Sequence, residues 1–176
     1  VAKSGDKLLC SDAIELLKKN LIPLAALITP NIPEAEKLLG RQIDSARDME
    51  VAAKELIYLG ARAVLVKGGH LGGSQSPDCL VYRKGKGIEI NWYPGVRLMT
   101  KNTHGTGCTL SSAIAAFLAR GSELQEAVGN AKKYLSASLE SGASYSLGAG
   151  FGPVDHFYFS RENIRRPCAQ TPRHRG

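Results

Sequence analysis

The chain has 176 residues, 43% of them hydrophobic and 22% charged, with a formal net charge of +7. This fits one ordinary domain with a packed core, and it excludes a disordered chain, a collagen-like repeat and a disulfide scaffold. No apolar run approaches the roughly 18 residues of a transmembrane helix, and the charge divides into +3 over residues 1–160 and +4 over residues 161–176, so the body carries no strong nucleic-acid footprint.

Val1 to Asp6 offers no apolar signal core, so no secretory signal is predicted. The absence of an initiator Met leads us to expect that the true N-terminus is missing. Ser11 is placed to cap a helix that carries Ile14, Leu17 and Leu21 on one face. Leu24 to Thr29 is a continuous apolar run ended by Pro30, the pattern of a strand buried on both faces. Pro33 opens a short helix, where its missing N–H costs nothing. Ser45-x-x-Asp48 reads as a capping box ahead of a helix bearing Met49, Ala52, Ala53, Leu56 and Ile57, which Gly60 ends. Ala63 to Lys67 is the next buried strand. Leu80–Tyr82 and Ile88–Trp92 flank the turn Lys84-Gly85-Lys86-Gly87 and predict a hairpin. Leu110 to Leu118 and Leu124 to Leu139 have helical spacing, and residues 142–152 form a Gly/Ser-rich loop. The order predicts an α/β fold with a mainly parallel sheet and an antiparallel edge hairpin over residues 1–160. Residues 161–176 read as a basic, disordered tail.

Cys10, Cys79, Cys108 and Cys168 form no C-x-x-C pair, and the four histidines are scattered. No direct metal cluster is predicted, and reduced thiols in the cytoplasm are the default. The chemistry concentrates elsewhere. Gly105-Thr106-Gly107-Cys108 enters a helix, where free N–H groups and the helix dipole favour an anion such as a phosphoryl group. An ordinary loop-to-helix turn explains the same residues. Cys108 in that first turn is a candidate base; its alternative is a small buried apolar residue. Lys67 ends an apolar strand and is a candidate phosphate contact, or a lysine reaching into solvent. Asn31 and Glu34, at i and i+3, could approach magnesium through water, or simply cap a helix. Strand ends at Thr29, Lys67 and Met99 on one edge of a parallel sheet would collect a magnesium-side acid, a phosphate-side lysine and an anion hole with a base, the set that phosphoryl transfer needs.

Thr29 to Glu36 (TPNIPEAE), Val66 to His70 (VKGGH) and Asn102 to Thr109 (NTHGTGCT) resemble the ribokinase superfamily, and within it the hydroxymethylpyrimidine/phosphomethylpyrimidine kinases of thiamine biosynthesis. Ala2 to Asp6 and Pro153 to Tyr158 fit the same family pattern. The resemblance implies a ribokinase-like, Rossmann-type sandwich and ATP- and Mg2+-dependent phosphorylation of 4-amino-5-hydroxymethyl-2-methylpyrimidine, then of its monophosphate. It makes Cys108 the base, where sugar kinases of the superfamily carry Asp. The Gly105, Thr106, Gly107 and Cys108 amides would stabilise the transferring phosphoryl. It assigns Lys67, Thr103, Gly105 and Gly107 to the nucleotide phosphates, and Asn31 and Glu34 to magnesium through water. It also implies a homodimer; hydropathy and charge, separately, lead us to expect neither membrane nor nucleic acid as partner. Family members begin before the position of Val1, so the chain is expected to be the C-terminal part, lacking most residues that hold the pyrimidine ring. Pyridoxal or pyridoxine kinase is the alternative activity, and a non-catalytic nucleotide-binding remnant the alternative role.

Overall fold

The computed structural model describes residues 11–160; the expectations for Ala2 to Asp6, Cys10, Cys168 and the tail 161–176 lie outside the described residues. The chain divides into two compact units, Val1–Arg97 and Leu98–Gly176.

In the first unit α1 (Ser11–Leu16) continues as a π-helical turn (Leu17–Leu21) and a 3-10 turn (Ile22–Leu24). The strand expected over Leu24 to Thr29 is reduced to two isolated parallel bridges, Ile28 to Val64 and Asn31 to Lys67. Prolines explain the loss. Pro23 opens the 3-10 turn, and Pro30 has no N–H to give a ladder. Three backbone bonds survive: Ile28 N–H to Ala63 O at 3.0 Å, Leu65 N–H to Ile28 O at 2.8 Å and Lys67 N–H to Pro30 O at 2.9 Å.

Helix α2 (Ile32–Leu39) follows at once, and Gly40 closes it with φ 71°. Helix α3 (Ala46–Tyr58) starts at Ser45, whose side chain accepts from Asp48 N–H at 3.1 Å. Its Met49, Ala52, Ala53, Leu56 and Ile57 are all buried, and the helix packs on strands β1 (Ala63–Lys67) and β2 (Asp78–Lys84). Each large aliphatic side chain so buried contributes about 1.5–3 kcal/mol. Strand β3 (Gly87–Tyr93) returns along β2 through Gly85 and Lys86. Gly85 has φ 58°, the left-handed backbone that a two-residue hairpin turn demands.

The sheet is antiparallel throughout, in the order β1-β2-β3, with Val66 opposite Cys79 and Val81 opposite Ile90. The mainly parallel sheet expected from the sequence is therefore corrected for the described residues. A parallel pair needs a long crossover; α2 and α3 supply one between residues 28–31 and β1, whereas β1, β2 and β3 are joined by loops.

In the second unit α4 (Thr106–Ala119) packs on α5 (Leu124–Gly142), and Leu110, Ile114, Ala127, Val128, Ala131 and Leu135 of the two helices are buried. The segment after α5 is anchored by Asp155. Its buried carboxylate accepts from Ser141 Oγ at 2.9 Å, Tyr145 Oη at 2.6 Å and Phe157 N–H at 3.1 Å. Among the described residues no helix is long and apolar enough to cross a membrane.

Candidate functional site

The first unit holds Asn31, Glu34 and Lys67. Asn31 caps α2: its Oδ1 accepts from Glu34 N–H at 2.9 Å, and Glu34 Oε2 accepts from Asn31 N–H at 2.7 Å. This complete capping box holds the carboxylate of Glu34 over the first turn, where the dipole favours negative charge. A magnesium ion keeps several waters and takes one or two carboxylates, so a single fixed carboxylate fits contact through water. No group of three or more His, Cys, Asp or Glu able to hold a metal directly occurs among the described residues.

Lys67 stands at the carboxyl end of β1 and donates through Nζ to Thr29 O at 2.6 Å. The ammonium is thus tied back across the Asn31–Lys67 bridge rather than released into solvent. Gly68 N–H donates to the buried carboxylate of Asp78 at 2.9 Å, and a Cβ at Gly68 would overlap Pro77 O, so only glycine fits there. Arg97 fastens the next turns through Nε to Gly73 O and Nη1 to Gly69 O, both at 2.9 Å, and through Nη2 to Leu71 O. Partial burial of the His70 ring lowers its pKa from 6.5; Glu34 opposes the shift, Lys67 and Arg97 add to it, and Glu36 opposes it more weakly. A shallow groove of about 340 Å3 between Pro33, Glu36, Lys37, Gly40, Arg41 and Gln42 contains none of the predicted site residues.

The second unit holds Thr103, Gly105, Thr106, Gly107 and Cys108. Gly105 precedes α4 with φ 81°, and no side chain caps the helix. The N–H groups of the first turn have no acceptor within a helix, so those of Gly107 and Cys108 remain for an anion. The turn is tied at its start by Thr106 Oγ1, which donates to Thr103 O at 2.6 Å, and closed by Thr109 N–H to Gly105 O at 2.8 Å. Cys108 is exposed, so it is not the small buried apolar residue that was its alternative. Cys79, by contrast, is buried in β2, and burial pushes its thiol up to about 12.

The structure brings Thr29 and Lys67 together, as expected, but residues 94–105 contain no strand, and Met99 is 93% exposed. The expected third strand end at Met99 is corrected accordingly. Sequence reading gave no role to Asp78, Arg97 or the buried Asn102, whose Nδ2 donates to Gly142 O at 2.7 Å and Tyr145 O at 2.8 Å. Their partners lie 10 to 43 residues away, beyond any spacing rule.

The sequence profile described as phosphomethylpyrimidine kinase matches residues 1–155. The hydroxymethylpyrimidine/phosphomethylpyrimidine kinase of Salmonella typhimurium is 46% identical over 159 residues, which are 90% of this chain and 58% of that protein. Among solved structures, the Staphylococcus aureus pyridoxal kinase in complex with AMP-PCP and pyridoxal superposes with a TM-score of 0.79 at 31% identity, covering 89% of this chain and 57% of that one. The phosphomethylpyrimidine kinase of Clostridium difficile gives 0.62 at 44% identity, covering 77% and 52%. The α/β class is therefore ribokinase-like. The chain spans between 32% and 58% of the length of the first curated relatives it matches.

Proposed function

The chain belongs to the phosphomethylpyrimidine kinase family, and from that premise we propose that it serves ATP-dependent phosphorylation of 4-amino-5-hydroxymethyl-2-methylpyrimidine and of its monophosphate in thiamine biosynthesis. The observation that carries the reading is the family match over residues 1–155, within which the uncapped Gly105–Cys108 turn lies.

In this reading the substrate hydroxyl oxygen attacks the γ-phosphorus of ATP while the bond to the ADP oxygen breaks. Cys108 Sγ accepts the hydroxyl proton. The Gly105 to Cys108 amides meet the charge on the transferring group, a contribution on the order of 3 kcal/mol per donor in comparable anion holes. Thr103 fixes the start of that turn through its carbonyl. Lys67 would be the cation for the nucleotide phosphates, and Asn31 and Glu34 would hold magnesium through water. When bound, the ion neutralises phosphate charge.

We extend the kinase part over residues 1–160, with 161–176 as a basic tail. The mainly parallel sandwich is proposed for the fold as a whole, supported by the parallel pairing of residues 28–31 with β1. A cytoplasmic homodimer without membrane or nucleic-acid partner completes the proposal.

The test is turnover of the pyrimidine, its monophosphate and pyridoxal side by side. Pyridoxal is included because a solved relative at 31% identity is named for it. Cys108→Ala should lower pyrimidine turnover about 10²- to 10⁴-fold, the range for a lost proton acceptor, with little change in ATP affinity. Undiminished turnover would remove Cys108 as the base, and preference for pyridoxal would replace the substrate.

A further inference from the structure

The turn that opens α4 is held from a second side, by a segment far away in the chain. Thr109 follows Cys108 directly, and its buried hydroxyl lies 2.9 Å from His156 Nε2. The His156 carbonyl in turn accepts from Tyr134 Oη of α5 at 2.9 Å. One residue before it, Asp155 is locked by Ser141, Tyr145 and its own N–H bond to Ser138 O at 2.9 Å. Upstream of the turn, His104 N–H donates to Gly152 O at 3.0 Å, and a Cβ at Gly152 would overlap Asn102 Oδ1. Residues 142–156 therefore brace the turn before Gly105 and again after Cys108. The ring of His156 links this brace to the first turns of α4 through a side chain.

We propose that His156 is a positioning residue, which fixes Cys108 and the Gly107 and Cys108 amides through Thr109. The proposal rests on the phosphoryl-transfer reading above and adds a residue to which that reading gives no part. His156 is exposed, so replacing it opens no cavity. Without the ring, the Thr109 hydroxyl can turn back to the Gly105 carbonyl four residues earlier, a bond that bends helix starts. Misplacement of reacting groups by about 1 Å costs on the order of 100-fold in rate, so partial loosening should be visible.

The experiment compares His156→Ala and His156→Gln with the unaltered protein, as its gene encodes it. Three readouts are taken: kcat and KM for ATP, the iodoacetamide alkylation rate of Cys108 by peptide mass spectrometry, and the melting temperature. Buried Cys79 is the internal control for unfolding. The expected result for His156→Ala is a kcat about tenfold lower, KM within about threefold, and a Cys108 alkylation rate changed about threefold or more, on the scale of a partial misplacement. Cys79 should stay protected. His156→Gln, which keeps a side-chain partner for Thr109, should restore most of each value. The proposal is overturned if Ala leaves kcat and Cys108 alkylation unchanged, if Gln is as impaired as Ala, or if the losses only follow a fall in melting temperature with Cys79 exposed. If the unaltered protein transfers no phosphate, the kinase reading fails. The alkylation rates then decide the brace by themselves: a change with Ala that Gln restores supports it, and no change overturns it.

Discussion

Two helix starts in this protein solve the same electrostatic problem in opposite ways. At α2, Asn31 and Glu34 satisfy each other's backbone N–H groups, and the carboxylate sits against the positive end of the helix. At α4, Gly105 supplies no side chain, and the Gly107 and Cys108 amides keep their capacity for an external anion. The first start is complete in itself and presents negative charge. The second is incomplete and presents positive potential. The two signs come from the same backbone element, and only the cap differs. The contrast also bears on stability. A cap contributes about 1 kcal/mol, so the α4 start forgoes stabilisation that α2 enjoys, as functional positions often do.

The comparison can be broken most directly at Gly105. Gly105→Ala forces a Cβ into the left-handed region, at roughly 1–2 kcal/mol, and nothing crowds the site otherwise. We expect the urea midpoint to fall accordingly and phosphoryl transfer to fall with it, because the amides move. Unchanged stability would show that the φ of 81° is not required. The matching change at α2 is Asn31→Ala, expected to cost about 1 kcal/mol in the same titration. Glu34→Gln separates cap from charge. A glutamine oxygen still accepts from Asn31 N–H, so stability should stay within about 0.5 kcal/mol, while the magnesium concentration for half-maximal turnover rises. A stability loss equal to that of Asn31→Ala, with no change in magnesium dependence, would reduce Glu34 to a capping residue.

How far the sequence could be read follows the range of the interactions involved. Helix α3 was legible because Ser45, Asp48 and the buried stripe from Met49 to Ile57 all act within a few residues. The β2–β3 hairpin was legible through Gly85. The strand over Leu24 to Thr29 was not, because its apolar run outweighed two prolines that act on hydrogen bonding rather than on hydropathy. Among the proposed site residues, Gly105 to Cys108 lie together in one turn and could be seen together. Lys67 was seen, but its tether to Thr29, 38 residues away, was not. Arg97 and Asn102 work by gathering carbonyl oxygens from distant loops. Carbonyls have no sequence signature, so no spacing rule could have paired them.

The smallest expected effect sharpens the α2 side of the comparison through His70. Partial burial holds its ring below the ordinary 6.5, while Glu34 and Glu36 pull upward and Lys67 and Arg97 push downward. With the folded value depressed, the unfolded chain binds the proton first as pH falls. The stability His70 contributes is therefore present above about 6.5 and is lost as pH drops through that value toward the lower folded pKa. An NMR titration of the ring should give a midpoint below 6.5. Glu34→Gln removes one upward pull, so the midpoint should move lower still. A midpoint that rises, or stays fixed, in that variant would mean that the carboxylate of the capping box exerts no field at the end of β1, and the negative character assigned to the α2 start would then end at its own first turn.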